Sequence, residues 1–124
     1  MNPFTRSLLR RLNDRQLGEF VAAWDQLEAL IIQIYKSGEA SPTDEAALKQ
    51  TRRRLSRHYP RWQPDLSRYW PQMRAGGEPL DGDPFEMLLS IQTGDGIPGN
   101  WRAMQILPAA REALNQYLLD RIDK

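Results

Sequence analysis

The strongest concentration of side chains that could do chemistry lies between residues 49 and 74. This segment carries eight basic residues and one acidic residue, a net charge of +7, although the whole chain carries only +1. Arginine presents a planar fork that binds phosphate oxygens in pairs, and Lys and Arg contacts to a phosphate backbone release its condensed counterions. We therefore expect this segment to contact an anionic partner.

Helical spacing and aromatic rings define the residues of this predicted site. At 100° per residue, one broad helix face holds Lys49, Arg52, Arg53 and Arg57. Aromatic rings in the same segment can act as stacking platforms for single-stranded bases. The predicted contacts with a nucleic acid or another anionic partner are Lys49, Arg52, Arg53, Arg57, Arg61, Trp62, Arg68 and Trp70. The sequence has no helix-turn-helix glycine turn, RNA-recognition motif or zinc-finger spacing to strengthen the case for nucleic acid. It does not distinguish RNA from DNA.

The same positive charge has a second interpretation that needs no ligand. Basic residues near the C-terminus of a helix are stabilised by the helix dipole. The flanking segments 1–48 and 75–124 carry net charges of −2 and −4, so their carboxylates can fold over the basic segment as intramolecular ion pairs. An acidic protein patch or a lipid head group is a further candidate partner.

Two other patterns suggest chemistry, but their contexts argue against it. Carboxylates crowd the segment 78–95, where oxygen ligands could hold Ca²⁺ or Mg²⁺ or act as a general acid and base. These carboxylates are Glu78, Asp81, Asp83, Glu86 and Asp95. Their spacing does not match a calcium-binding EF-hand loop, and Asp83 with Glu86 suits the start of a helix. Residues 94–99 spell the glycine pattern of dinucleotide-binding loops, but no strand is predicted before them.

Composition removes several classes of enzyme. The chain has 124 residues, no cysteine and a single histidine, His58. Without cysteine there are no disulfides, thiolate metal sites or cysteine nucleophiles, and one histidine excludes the metal sites that need two or three. We predict no catalytic residue, no bound metal and no cofactor. An enzyme that uses the acidic loops 78–95 for a small ligand or a metal is the least favoured alternative.

Apolar periodicity predicts helices as the elements that position these side chains. An apolar stripe from Leu17 to Tyr35 predicts a helix of about six turns. Asn13 is expected to cap its N-terminus, and Gly38 its C-terminus in a left-handed conformation. Gly18 inside this helix suggests a close crossing with another helix, and a basic amphipathic N-terminal helix is expected to pack on it.

Prolines are expected to separate the elements in the rest of the chain. Thr43 is predicted to cap the helix that carries the basic residues, and that helix should end just before Pro60. A short helix is expected over residues 64–74. Further helices should begin at Pro84 and at Pro108, because proline is favoured at the first helical position.

Together these elements predict an all-α fold, a compact bundle of about five to six helices with Pro/Gly-rich connecting loops in one domain over residues 1–124. No stretch approaches the roughly 20 apolar residues that cross a membrane, so we expect no membrane partner and a cytoplasmic location. The predicted function is a small non-enzymatic binding or adaptor domain that contacts nucleic acid through residues 49–74. The alternative is a protein-interaction or homodimerisation module with no nucleic-acid role, based on the long apolar stripe and the four tryptophans.

Overall fold

The computed structural model describes residues 3–90 and 96–123, and five α-helices account for most of them. The helices are α1 (Pro3–Leu12), α2 (Arg15–Ser37), α3 (Pro42–Leu66), α4 (Pro84–Leu89) and α5 (Gly96–Asp123). Between α3 and α4 lie a 3₁₀ turn, Trp70–Gln72, and a hairpin of two short antiparallel strands, β1 (Arg74–Ala75) and β2 (Glu78–Pro79), with Arg74 opposite Pro79. The predicted all-α bundle of about five helices is confirmed.

Capping fixes both ends of the long helix α2. Asp14 is the N-cap, and its side chain accepts a hydrogen bond from the Leu17 backbone N–H at 3.0 Å. The predicted cap, Asn13, lies in the linker from α1 with a φ of 51°, so the helix starts one residue later than predicted. Gly38 ends the helix as predicted, with a φ of 84° and its N–H donated to the Ile34 carbonyl.

The helix α3 begins at Pro42 with a capping box. The Ser41 hydroxyl accepts a hydrogen bond from the Asp44 N–H at 3.0 Å, and the Asp44 carboxylate accepts one from the Ser41 N–H at 3.2 Å. Pro42 fits the first helical position because no N–H is needed there. The predicted cap, Thr43, lies inside the first turn, since the Ser41–Asp44 pair satisfies two backbone donors at once.

At its other end α3 continues through Pro60 and Pro64 to Leu66. The predicted end before Pro60 and the predicted separate helix over 64–74 are therefore wrong. A proline inside a helix removes one N–H donor and costs roughly 3 kcal/mol. Both prolines lie on the exposed side, where water can bond the carbonyls that they leave free. On the opposite side Trp62 and Leu66 are buried, and this burial keeps the segment helical.

The core forms where α5 crosses the other four helices. Its largest fully buried side chains include Trp24 of α2 and Phe85 of α4, whose ring centroids are 4.9 Å apart, and Leu114 and Leu118 of α5. The apolar stripe of α2 is thus covered within one chain. The prediction that α1 packs on α2 is wrong, since its main contact is with α5. The prediction that Pro108 opens the last helix is also wrong, because α5 runs through it.

The glycine pattern at 94–99 falls across a boundary of the described residues. Residues 94 and 95 lie outside them, whereas 96–99 form the first turn of α5. The described element that precedes the pattern is the helix α4, and the residues between them lie outside the described part of the chain, so the predicted lack of a strand before the pattern stays a prediction. Among the helices that the structure describes, none combines the length and apolar character needed to cross a bilayer.

Candidate functional site

The exposed side of α3 carries a row of four cations spaced four residues apart. They are Lys49, Arg53, Arg57 and Arg61, all exposed, and we call them the basic face. Four residues are slightly more than one helical turn, so the row follows one side of α3 over about 18 Å. The other side of the helix is buried in the core around Leu55. Packing of that buried side therefore fixes the direction in which the basic face points.

The acidic flanks form no ion pair with the basic face in the described part of the chain, although the pKa of Asp14, lowered chiefly by the Leu17 backbone N–H, is lowered in part by the charge of Arg61. Within the residues that the structure describes, no carboxylate lies within ion-pair distance of its four cations. The flanking carboxylates pair elsewhere: Glu28 accepts hydrogen bonds from Arg111 at 3.0 and 2.8 Å, and Asp14 accepts one from Arg121 at 3.1 Å. Like charges at i, i+4 on a helix repel by roughly 0.2–0.5 kcal/mol per pair. The repulsion within the row therefore raises the free energy of the folded chain, and a bound anion would remove this repulsion.

The other predicted arginines have different surroundings. Arg52 is half-buried on the flank of α3 nearer the core and lies outside the basic face, so its predicted contact with an anionic partner stays a prediction. Arg68 is exposed beyond the end of α3. Arg61 joins the row, although the predicted helix stopped short of it. Its guanidinium carbon lies 4.9 Å from the centroid of the Trp62 ring, and its Nη1 donates a hydrogen bond to Gln16 Oε1.

The two tryptophans predicted as stacking platforms are not free surface rings. Trp62 is 4% exposed and packs against Phe20, with ring centroids 6.2 Å apart. Trp70 is half-buried, and its Nε1 donates to Ser67 Oγ at 3.4 Å. We therefore assign Trp62 to the core and not to the interface. The spacing in the sequence could have indicated this burial, because Trp62 follows the buried Leu55 by seven residues and lies on the same side of the helix once the helix extends beyond Pro60.

The carboxylates around α4 hold the fold together. Asp83 caps α4 by accepting from the Phe85 N–H at 2.8 Å, and its other oxygen accepts from the Tyr59 hydroxyl and from Gln63 Nε2. Burial and this carboxylate raise the pKa of Tyr59, so the phenol stays protonated. Glu86 accepts from Gln63 at 2.7 Å. Of the other predicted carboxylates, Glu78 is exposed in β2, Asp81 lies 3.7 Å from Arg102, and Asp95 is outside the described residues. Across the described part of the chain, no group of three or more potential metal ligands forms a site.

A polar cleft of about 410 Å³ lies where the ends of α3 and α5 meet. Tyr117 donates its hydroxyl to Asp65 at 3.0 Å, and Tyr69 donates its hydroxyl to Asp120 at 2.7 Å. Burial, together with the bond to Asp65, raises the pKa of Tyr117 to about 12. The hydrogen bond to Asp120 raises the pKa of Tyr69 as well, so both phenols are protonated at neutral pH and act as hydrogen-bond donors. The two hydrogen bonds across the cleft connect α5 to the C-terminal end of α3 and the residues that follow it. The protonated tyrosines of the cleft do not act as general bases.

No protein-family model matches this chain, and neither does any curated protein or solved structure. The candidate function therefore depends on the chemistry of the basic face. Guanidinium and ammonium groups donate hydrogen bonds and accept none. Groups of this kind bind phosphates and carboxylates through short, charge-assisted hydrogen bonds.

Proposed function

We propose that this chain is a small non-enzymatic binding domain that contacts the phosphate backbone of nucleic acids through the basic face. The observation that carries the proposal is the row from Lys49 to Arg61, four exposed cations without an ion-pair partner in the part of the chain that the structure describes. A polyanion with closely spaced charges relieves the repulsion along such a row. Duplex DNA carries one charge per roughly 1.7 Å of its axis and meets this requirement.

The chemistry of the basic face favours binding without base-sequence preference. Contacts to phosphates position a protein on nucleic acid but carry no sequence information, and the face contains no aromatic ring for stacking. Four phosphate contacts give a slope of log affinity against log salt of roughly −2.8 to −3.6. Between about 50 and 200 mM salt the affinity should then fall roughly 50- to 150-fold.

Fluorescence anisotropy with labelled single-stranded RNA and duplex DNA tests the proposal. The wild-type chain should bind both, with the salt dependence given above. Arg53→Glu combined with Arg57→Glu removes two phosphate contacts and places negative charge in the row. We expect this variant to lose binding while circular dichroism shows unchanged helix content.

The helix α1 offers a matched control for this variant. Arg6 and Arg10 are also exposed and also four residues apart, so Arg6→Glu with Arg10→Glu changes the net charge by the same amount. This control should keep near wild-type affinity, because α1 packs on α5 and lies outside α3. Equal losses from the two double variants would mean that net charge, and not the basic face, governs binding, and the proposal would be wrong.

The described surface adds no support for the alternative of a homodimer. The prediction depended on the apolar stripe of α2, which is buried within the chain from Leu17 to Ile34. The large hydrophobic side chains exposed in the described residues are Phe4 and Tyr35, with exposures of 50% and 37%, and they belong to different helices. Homodimerisation therefore stays a prediction, which light scattering at micromolar protein concentration can test.

A further inference from the structure

A surface groove runs between α2 and α3, which are antiparallel neighbours. Hydrogen bonds join the two helices near both ends of the groove: Arg61 Nη1 donates to Gln16 at one end, and Gln33 Nε2 donates to Asp44 at 3.4 Å at the other. Between these bonds lie two cavities of about 160 and 360 Å³, and Arg54 lines both. We call this surface the interhelical groove.

The floor of the groove is apolar and its dimensions suit an α-helix. Ala23 and Leu55 lie at the floor of the smaller cavity, and Ala29, Leu30 and Ala47 line the larger one. Small side chains on both helices leave room for the ridge of a third helix. The bonds at the two ends involve residues 16 and 33 of α2, so the groove is about 26 Å long, the length of a helix of roughly 17 residues.

The two walls of the groove differ in charge. The α3 wall carries Arg54, His58 and Arg61, which face the groove one turn apart. The α2 wall is formed mainly by glutamine side chains, and Glu19 is the one carboxylate that lines either cavity. A helix in the groove would therefore place its apolar side against the floor and one flank beside the guanidinium groups of Arg54 and Arg61.

We propose that the interhelical groove binds an amphipathic α-helix of a protein partner, with Asp and Glu residues on the flank that faces α3. Burial of apolar side chains in a groove between helices is an established mode of peptide recognition. The charge of the α3 wall selects the acidic flank and disfavours a basic one. This surface lies beside the basic face and shares only Arg61 with it, so the proposal does not depend on nucleic-acid binding.

Two other occupants fit the groove less well. A nucleic-acid backbone would leave the apolar floor uncovered, and the ring of Trp62 is too deeply buried to stack on a base. The exposed polar residues of α1, the amphipathic N-terminal helix of a second copy, include Arg6, Arg10 and Arg11, which the cationic wall would repel. Of these three occupants, only an amphipathic helix with an acidic flank covers the apolar floor and also pairs with the positive charge of the α3 wall.

A pair of designed peptides tests this proposal. One is an acetylated and amidated helix of about 18 residues with leucines at helical spacing and glutamates along one flank, and the other has lysines in place of the glutamates. We expect the acidic peptide to bind at least about tenfold more tightly at low salt. In two-dimensional NMR spectra of the labelled chain, its shifts should concentrate at the groove residues of α2 and α3.

Variants of the chain locate the site. Ala47→Glu places a carboxylate on the floor, and Arg54→Glu reverses the charge of the wall; each should weaken the acidic peptide about tenfold or more. Ala46→Glu is the matched control, because Ala46 is exposed one position away and does not line the groove. It should change the affinity less than about twofold, and thermal unfolding monitored by circular dichroism checks that every variant folds.

Several outcomes would overturn the proposal. Equal affinity for the acidic and basic peptides would show that the charged wall does not select the partner. Shifts outside the groove, or an equal loss in Ala46→Glu and Ala47→Glu, would place the peptide elsewhere. Shifts at Ala23, Ala29 and Leu30 on the α2 side of the groove, caused by an RNA oligonucleotide or by increasing the protein concentration alone, would assign the groove to nucleic acid or to a second copy.

Discussion

Reversing one charge in the middle of the basic face should stabilise the fold while it weakens nucleic-acid binding. Arg57 has Arg53 and Arg61 as its i−4 and i+4 neighbours, and all three are exposed. Arg57→Glu turns two repulsive pairs into attractive ones. Arg and Glu have similar helix propensities, so the change in charge dominates the effect.

The size of this gain follows from helix pair energies. Each pair changes from about 0.2–0.5 kcal/mol unfavourable to a similar amount favourable, which gives roughly 0.8–2 kcal/mol for two pairs at low ionic strength. For a domain of this size, a gain of about 1 kcal/mol in the free energy of unfolding raises the melting temperature by roughly 3–5 °C. In about 1 M salt the Debye length is near 3 Å, so most of the gain should disappear.

Thermal and urea unfolding at low and high salt measure the effect. Arg57→Gln is the matched control, because it removes the repulsion without adding attraction, and it should give about half of the gain. The same purified Arg57→Glu variant should bind RNA more weakly in the anisotropy assay. A loss of stability at low salt, or a gain that is unchanged in high salt, would refute the view that the row is an unpaired set of repelling charges.

Three further predictions concern the fold. Gly18→Ala should raise the free energy of unfolding, measured in urea, by up to about 1 kcal/mol, because a Cβ at residue 18 meets no atom within 4 Å. The predicted close helix crossing at Gly18 is therefore wrong. A destabilised variant would show that the space beside Gly18 is not open. Asp83→Ala should cost roughly 2–4 kcal/mol in the same assay, since α4 loses its cap and the buried Tyr59 hydroxyl loses its acceptor, whereas Glu78→Ala should cost almost nothing. The pKa of Tyr117 is raised to about 12 in the folded chain, whereas a tyrosine in the unfolded chain has a pKa near 10, so the stability that the Tyr117 hydroxyl contributes is complete below pH ~10 and is lost between pH ~10 and ~12. Tyr117→Phe should therefore lose less free energy of unfolding than the wild type over that pH range. An equal loss in both proteins would show that Tyr117 does not contribute in this way.

The fold class followed from periodicity, but the extent of α3 did not. Pro60 predicts a helix end on local grounds, and only tertiary burial of Trp62 and Leu66 explains why the helix continues. The error carried over into the candidate site. A helix that stopped before Pro60 left Arg61 out of the row and made Trp62 look like a surface ring.

The neighbouring errors have local causes. Ser41 and Thr43 are both suitable caps, and the reciprocal bond to Asp44 decides between them. Arg52 lies close enough to the basic face on a helical projection to be grouped with it, but the structure leaves it half-buried. The interhelical groove could not be predicted, because it depends on how α2 and α3 pair in three dimensions.

The two prolines in α3 also divide that helix into parts with different sources of stability. Residues 42–59 keep a full set of backbone donors beyond the first turn, whereas the last two turns lack those of Pro60 and Pro64. The last two turns are therefore held by side-chain burial against the rest of the chain and not by autonomous helix formation. A peptide of α3 cut from the protein should be helical at its N-terminal end and frayed from about Pro60 onward. Arg61 then takes its place in the row only after tertiary packing, so the complete basic face belongs to the folded domain and not to the helix alone.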